Sequence, residues 1–522
     1  MFNHKPQLKR IARRAYNAVY WLLLFNLIAF GWPGVALAIS GDGLASYGST
    51  TSTYQFYRTW PAGTSIWGGE TGGPSITCSS GNPTINWEVL KASPSNPDVY
   101  LLGVMYSCAT PATYWIAFWN YSGGSWTSEF SINSTVGQQT YRGMDIEFER
   151  SSSPEHVVVV YEKSDSTTTY YYKEGTWGGA NYGLGAAVEG SGTFARTVGN
   201  HRWYILSPKL NTDEIMFLAA GDAAATRNVV ARVWNGSDFT TLPESPDLGL
   251  AYVTTNWDFD CAYETTTGDG MVAWGFSGTP YWKYVIYTGG AWGAVQNGDT
   301  SNQTSSLGMR VLDLDPNPNP DATYGDDIVA GFIEDNTTDD ADATIWTGAA
   351  WTAVASIDAA VYSTATGRQA AVKYASNSND AIMLYDDAAT ADIDYTRSID
   401  GAQFSTSPTN VATAGGQDSN IQLINESTDD KIMFMRLDGT NADLYAYEYD
   451  MSANTWTAGT VLNATMSNGA KGEAYMFAYN TPYKVPTLSE ILFLALIGCV
   501  VFLGVRTGAI KFKIDKRKNS KP

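Results

Sequence analysis

The chain has 522 residues, 44% of them apolar, with a formal net charge of −20 and three histidines. So much apolar content argues against a disordered chain, and so much acid argues against binding to nucleic acid or to an anionic membrane surface. Beyond residue 38 the histidines are His156 and His201, neither beside a nucleophile motif nor at a metal-ligand spacing; both read as turn or core residues, without a Ser-His-Asp triad or a His-rich zinc site.

The N-terminus reads as a signal peptide over 1–38. Lys5, Lys9, Arg10, Arg13 and Arg14 form its basic region, residues 18–30 its apolar core, and Ala36-Leu37-Ala38 its small-residue cleavage site. The bulk of the chain is therefore expected outside the cytoplasm. With the five leader bases and the net +6 of residues 506–522 set aside, the exported part carries −31.

Residues 39–480 are expected to form one all-β domain. Tyr54-Gln55-Phe56-Tyr57 and residues 63–67 (Gly-Thr-Ser-Ile-Trp) read as a third and a fourth strand with no unit before them. Cys78 and Cys108 are expected to pair in an oxidising compartment, across a loop of about 30 residues, with Cys261 left as a buried thiol.

Seven units then follow, each opening on an acid and closing on an aromatic. The pairs are Asp98 and Trp126, Glu155 and Trp177, Glu214 and Phe239, Asp269 and Trp292, Asp327 and Trp351, Asp380 and Phe404, Asp430 and Trp456. The aromatics recur 51 to 62 residues apart, a period that predicts blade repeats of four strands each. Runs such as Glu214-Ile215-Met216-Phe217-Leu218 and Lys431-Ile432-Met433-Phe434-Met435 are apolar on successive residues, as expected of strands covered on both faces. Glycine turns precede the aromatic, as in Gly123-Gly124-Ser125-Trp126 and Gly289-Gly290-Ala291-Trp292. Residues 473–479 read as a further first strand, so the two ends (50–70 and 472–480) are expected to join in a split eighth blade. The alternative is a seven-bladed ring with these segments as ornaments. The turns resemble the Asp-box and kelch-like turns of propeller families, most closely at Ser398-Ile399-Asp400-Gly401-Ala402-Gln403-Phe404. The fold expected is thus a β-propeller of seven to eight four-stranded blades.

In a propeller, the loop leading into each innermost strand lies at a mouth of the central channel. Arg142, Arg202, Arg310 and Arg368 stand near that place in four units, and Trp87 and Trp257 in two others. Guanidinium groups there suit a carboxylate or sulfate, and the rings suit sugar faces. Asp145, Asp258, Asp260 and Asp313 lie slightly deeper, so the competing expectation is that Arg and Asp pair as structural glue. Asp313, Asp315, Asn317 and Asp321 alternate oxygen ligands in the manner of a Ca²⁺ loop, although prolines between them stiffen the segment and turn chemistry is the favoured account.

Residues 481–490 read as a linker with a sorting motif, 491–506 as a transmembrane helix and 507–522 as a basic cytoplasmic tail. Val485-Pro486-Thr487-Leu488-Ser489-Glu490 and the apolar and basic stretches after it resemble C-terminal sorting tails of the PEP or IPTL type. That resemblance implies a sorting protease as partner. The expected role is binding or adhesion at the cell surface, with a glycan or a surface protein as ligand. Alternatives are a structural surface-layer component and a glycoside hydrolase. The latter follows from a resemblance to sialidases, propellers with Asp-boxes and an Arg cluster, and it would need a Tyr nucleophile paired with Glu.

Overall fold

The computed structural model describes residues 42–479 apart from short internal segments, the longest of them 299–307. The expected signal peptide, linker, transmembrane helix and basic tail lie outside the described residues. Among the described residues no helix is long and apolar enough to cross a membrane.

Eight antiparallel sheets follow one another along the chain. Their innermost strands are Thr84–Ala92, Met144–Phe148, His201–Pro208, Phe259–Tyr263, Met309–Pro316, Ala370–Tyr374, Asp418–Asn425 and Tyr475–Tyr479, which define blades 1 to 8. Each innermost strand touches the next, and the eighth touches the first, so the ring closes. Blade 8 is the split blade. Its innermost strand comes from the C-terminal side and its other three, Gly43–Tyr47, Tyr54–Trp60 and Thr71–Ser75, from the N-terminal side. The seam between them pairs Gly43 with Tyr479 and runs to Tyr47 opposite Tyr475.

Two details differ from the sequence reading. The fourth strand of blade 8 is Thr71–Ser75, not residues 63–67. Trp67 lies outside any strand but is buried against Trp60 and Phe477, with ring centroids 4.9 and 5.6 Å apart. The aromatic does its expected packing while the chain leaves the ladder. In blade 3 three strands form, and an irregular segment takes the fourth position, tied by a hydrogen bond from the Ser245 N–H to the Ala231 carbonyl (3.0 Å).

The second strands are buried on both faces, as their sequences predict. Asp327–Glu334 is buried at every position. The closing aromatics reach back to the preceding blade. Trp126 meets Tyr57 of blade 8 at 5.8 Å, Phe239 meets Tyr172 of blade 2 at 5.3 Å, and Trp351 meets Trp282 of blade 4 at 4.7 Å. Trp456 meets Tyr395 of blade 6 at 5.6 Å. Such ring pairs add about 0.5–1.5 kcal/mol each beyond the area they bury. Gly123-Gly124 and Gly289-Gly290 take positive φ at both positions (57° and 82°, 58° and 84°), which lets two residues close a hairpin before each Trp.

The disulfide Cys78–Cys108 (Cα–Cα 5.6 Å) ties the segment after the outermost strand of blade 8 to the second strand of blade 1, Tyr100–Ala109. Its loop spans 30 residues. On the loop-entropy account, replacing both cysteines by serine lowers the unfolding free energy by about 3 kcal/mol. Urea denaturation of the oxidised protein and the double variant measures it; coincident curves would show that the bridge constrains nothing.

Candidate functional site

Innermost strands of adjacent blades run side by side without a regular ladder. Backbone N–H groups that face the neighbour therefore need other acceptors. Acids on alternate positions supply them. Asp145 Oδ2 accepts from Leu206 N (2.7 Å), Asp260 Oδ2 from Leu314 N (2.9 Å), Asp313 Oδ2 from Val372 N and Asp315 Oδ2 from Tyr374 N (both 2.8 Å). Each bond joins one blade to the next. Carbonyls just ahead of the strands accept in the same direction: Tyr204 N donates to Arg142 O (3.1 Å), Leu312 N to Trp257 O (2.6 Å) and Ile421 N to Arg368 O (2.7 Å).

The second oxygens of Asp313 and Asp315 meet cations. Lys373 Nζ binds Asp315 Oδ1 at 2.5 Å, and Arg368 pairs with Asp313. Lys91 Nζ and Arg150 Nη2 hold the two oxygens of Glu147 at 2.8 and 2.9 Å. Arg142 lies 3.5 Å from Asp145 and donates to Tyr204 O at 3.1 Å. Burial alone would raise Glu147, but Lys91 and Arg150 outweigh it and hold the carboxyl below its ordinary range. Burial pushes Asp145 and Asp315 up against the pull of their cations. Asp260 is pushed up to about 8 by burial and by the neighbouring Asp313.

These groups line a cavity of 790 Å³ in the channel. One end is aromatic. Trp87, Trp203 and Trp257 come from blades 1, 3 and 4 and meet with centroids 4.3 to 6.1 Å apart. Arg142 and Arg368 sit 4.9 and 5.8 Å from the Trp257 ring. The other end is edged by the turns that follow innermost strands, among them Pro94, Asn211, Pro318 and Asn377. Five cations, Lys91, Arg142, Arg150, Arg368 and Lys373, face this space. Four acids, Asp145, Glu147, Asp260 and Asp315, face it as well, so the lining carries both signs of charge.

Arg142, Arg368, Trp257, Asp145 and Asp260 line the cavity, and Trp87 stands behind Trp257. Arg310 lies on the innermost strand of blade 5 but is not part of the lining, and Asp258, fully buried, faces Gly275 of its own blade. The Arg202 side chain and Asp321 lie outside the described residues. The expected Ca²⁺ ligands are otherwise engaged. Asp313 and Asp315 hold Arg368 and Lys373, and Asn317 Nδ2 donates to Tyr324 O (3.1 Å) and Asn379 Oδ1 (3.0 Å). Lys91, Glu147, Arg150, Lys373 and Trp203 escaped the sequence reading. For Lys91, Glu147 and Lys373 the signal was a charge interrupting an apolar strand, as in Ala-Val-Lys-Tyr at 371–374.

The sialidase resemblance requires a Tyr–Glu pair at the site. The cavity is lined by one tyrosine, Tyr263, whose hydroxyl has no hydrogen-bond partner. Tyr–Glu hydrogen bonds among the described residues, namely Tyr182 with Glu155 (2.5 Å), Tyr161 with Glu189 (2.8 Å) and Tyr47 with Glu70 (2.9 Å), lie away from it, while Glu214 acts on Tyr263 through its charge.

No family model and no curated protein matches the chain. Among solved structures it is similar to an acylaminoacyl peptidase from Pyrococcus horikoshii (10% identity over 72% of this chain and 52% of that one, TM-score 0.37). It is similar also to the six-bladed fungal lectin from Aleuria aurantia (15%, 60% and 94%, 0.32) and to the β-propeller domain of the Trilobed protease from Pyrococcus furiosus (9%, 73% and 97%, 0.37). The chain spans about half the length of the peptidase it matches.

Proposed function

We propose that the protein is an exported, membrane-anchored propeller that binds an acidic glycan in its channel. The observation that carries the reading is the cavity of 790 Å³ lined by five cations, two of which, Arg142 and Arg368, lie over the ring of Trp257. Carboxylate or sulfate groups of the glycan would take charge-assisted hydrogen bonds from Arg150, Arg368 and Lys373. Hydroxyls would donate to Asp315 and Glu147. The indole N–H of Trp257, which has no partner within the protein, would donate to a sugar oxygen at the aromatic end. The segments 1–38 and 491–522 supply export and tethering, and they place the binding face at the cell envelope.

A glycan array probed with the full-length protein in detergent tests this. Uronic-acid or sulfated glycans are expected to score above their neutral counterparts, with affinity reduced tenfold or more in Arg150→Ala and Lys373→Ala. Retention of neutral glycans alone, or affinity unchanged in both variants, contradicts the reading.

A further inference from the structure

A second site lies outside the channel, at the end of blade 2 where its first strand turns into its second. Three side chains from three neighbouring strands meet there. Glu149 follows Met144–Phe148, His156 opens the second strand His156–Tyr161, and Glu174 lies near the end of the third, Thr169–Thr176. His156 Nδ1 stands 3.2 Å from Glu149 Oε2 and 2.8 Å from Glu174 Oε1. The three ligand atoms lie within 4.8 Å of one another.

We propose that this cluster binds a divalent transition-metal ion of the Zn²⁺ class. Ligand atoms each about 2.0–2.2 Å from one ion must be roughly 3–3.5 Å apart, and the two spacings to Nδ1 already approach that without movement of the backbone. One imidazole and two carboxylates suit zinc and its neighbours better than Ca²⁺ or Mg²⁺, which take oxygen alone. The site also has its outer support. Trp234 Nε1 donates to Glu149 Oε1 at 2.7 Å, which fixes that carboxylate and aims Oε2 at the histidine. The Glu149 N–H donates to the His156 carbonyl (3.1 Å), and the His156 N–H to Ser152 Oγ (3.0 Å), so the hairpin itself sets the ligands' positions. Asp213 adds negative charge beside Glu149. The side chains of His156 and Glu174 are 28% and 31% exposed, so an ion reaches the site from solvent. On binding, the ion takes the Nδ1 lone pair of a neutral imidazole, whose one proton then sits on Nε2.

Titration of the metal-stripped full-length protein with Zn²⁺, followed by calorimetry, tests the assignment. One ion per chain is expected, with affinity lowered at least tenfold in His156→Ala and in Glu174→Gln. Both positions are partly exposed, so both variants are expected to fold, which circular dichroism checks. Co²⁺ should give visible d–d absorption that disappears in the same variants. Undiminished stoichiometric binding in both variants, no binding by the parent protein, or equal affinity for Ca²⁺ would overturn the proposal.

Discussion

Replacing Phe477 by alanine is expected to destabilise the protein by about 3–5 kcal/mol, the range for truncating a buried phenylalanine. Phe477 is 1% exposed on the innermost strand of blade 8, with Trp67 and Tyr479 against its ring at 5.6 and 4.6 Å. It also stands over Gly43 across the seam, where a Cβ would strike the ring. Gly43→Ala alone therefore overpacks the seam and should cost about 1–3 kcal/mol. The double variant should cost clearly less than the sum of the two, because removing the ring vacates the space the new methyl needs. Urea denaturation of the four proteins checks this. Additive losses would mean that residues 43 and 477 do not touch and that the ends are not joined as described.

Stability should fall as pH rises from about 4 to about 8. Burial pushes Asp260 up to about 8, with Asp313 adding to it, and burial pushes Glu88 up to about 8 against the opposing hydrogen bond from Gln55. In the unfolded chain both ionise near pH 4. Between these limits the folded protein holds protons that the unfolded chain has released. The unfolded state binds fewer protons, so stability declines with pH and levels off above the folded values. Carboxyls held low, such as Glu147 and Glu189, act in the opposite sense but only below about pH 4.5, outside this window. Denaturation midpoints should therefore drop from pH 5 to pH 9 in the parent and drop less in the Asp260→Asn, Glu88→Gln double variant, where other raised carboxyls such as Asp342 and Asp394 still contribute. Midpoints that stay level or rise in the parent would show that both groups are ionised in the fold.

The ring was largely legible from the chain because each blade repeats one packing problem. A second strand buried on both faces must be apolar at every position, and an aromatic must fill the gap to the preceding blade. Both leave marks that survive when the rest of the repeat has drifted. The strands that escaped carry no such mark. Gly43–Tyr47 is a five-residue run beside the leader, and Thr71–Ser75 (Thr-Gly-Gly-Pro-Ser) is an outer edge strand with little β propensity. Trp67 misled because the usual link between closing aromatic and fourth strand is broken there.

The site was legible by position and not by partner. Arg142, Arg368 and Trp257 could be placed at the channel because they precede innermost strands. The same logic does not say that Asp315 meets Lys373 or that Glu147 sits between Lys91 and Arg150, since those contacts depend on which blades adjoin and on the register between them. His156 illustrates the limit. Its spacing in sequence gives no ligand pattern, and only the hairpins of blade 2 bring Glu149 and Glu174 to the same ring nitrogen.

The most direct test of the closed eight-bladed ring is a cross-link across its seam. Ser46 and Met476 lie opposite one another on the paired strands of blade 8. A Ser46→Cys, Met476→Cys variant should form an intramolecular disulfide on mild oxidation, identified by mass spectrometry as one peptide pair joining the two ends of the domain. A folded variant whose introduced cysteines both remain free, or link only between molecules, would contradict the ring.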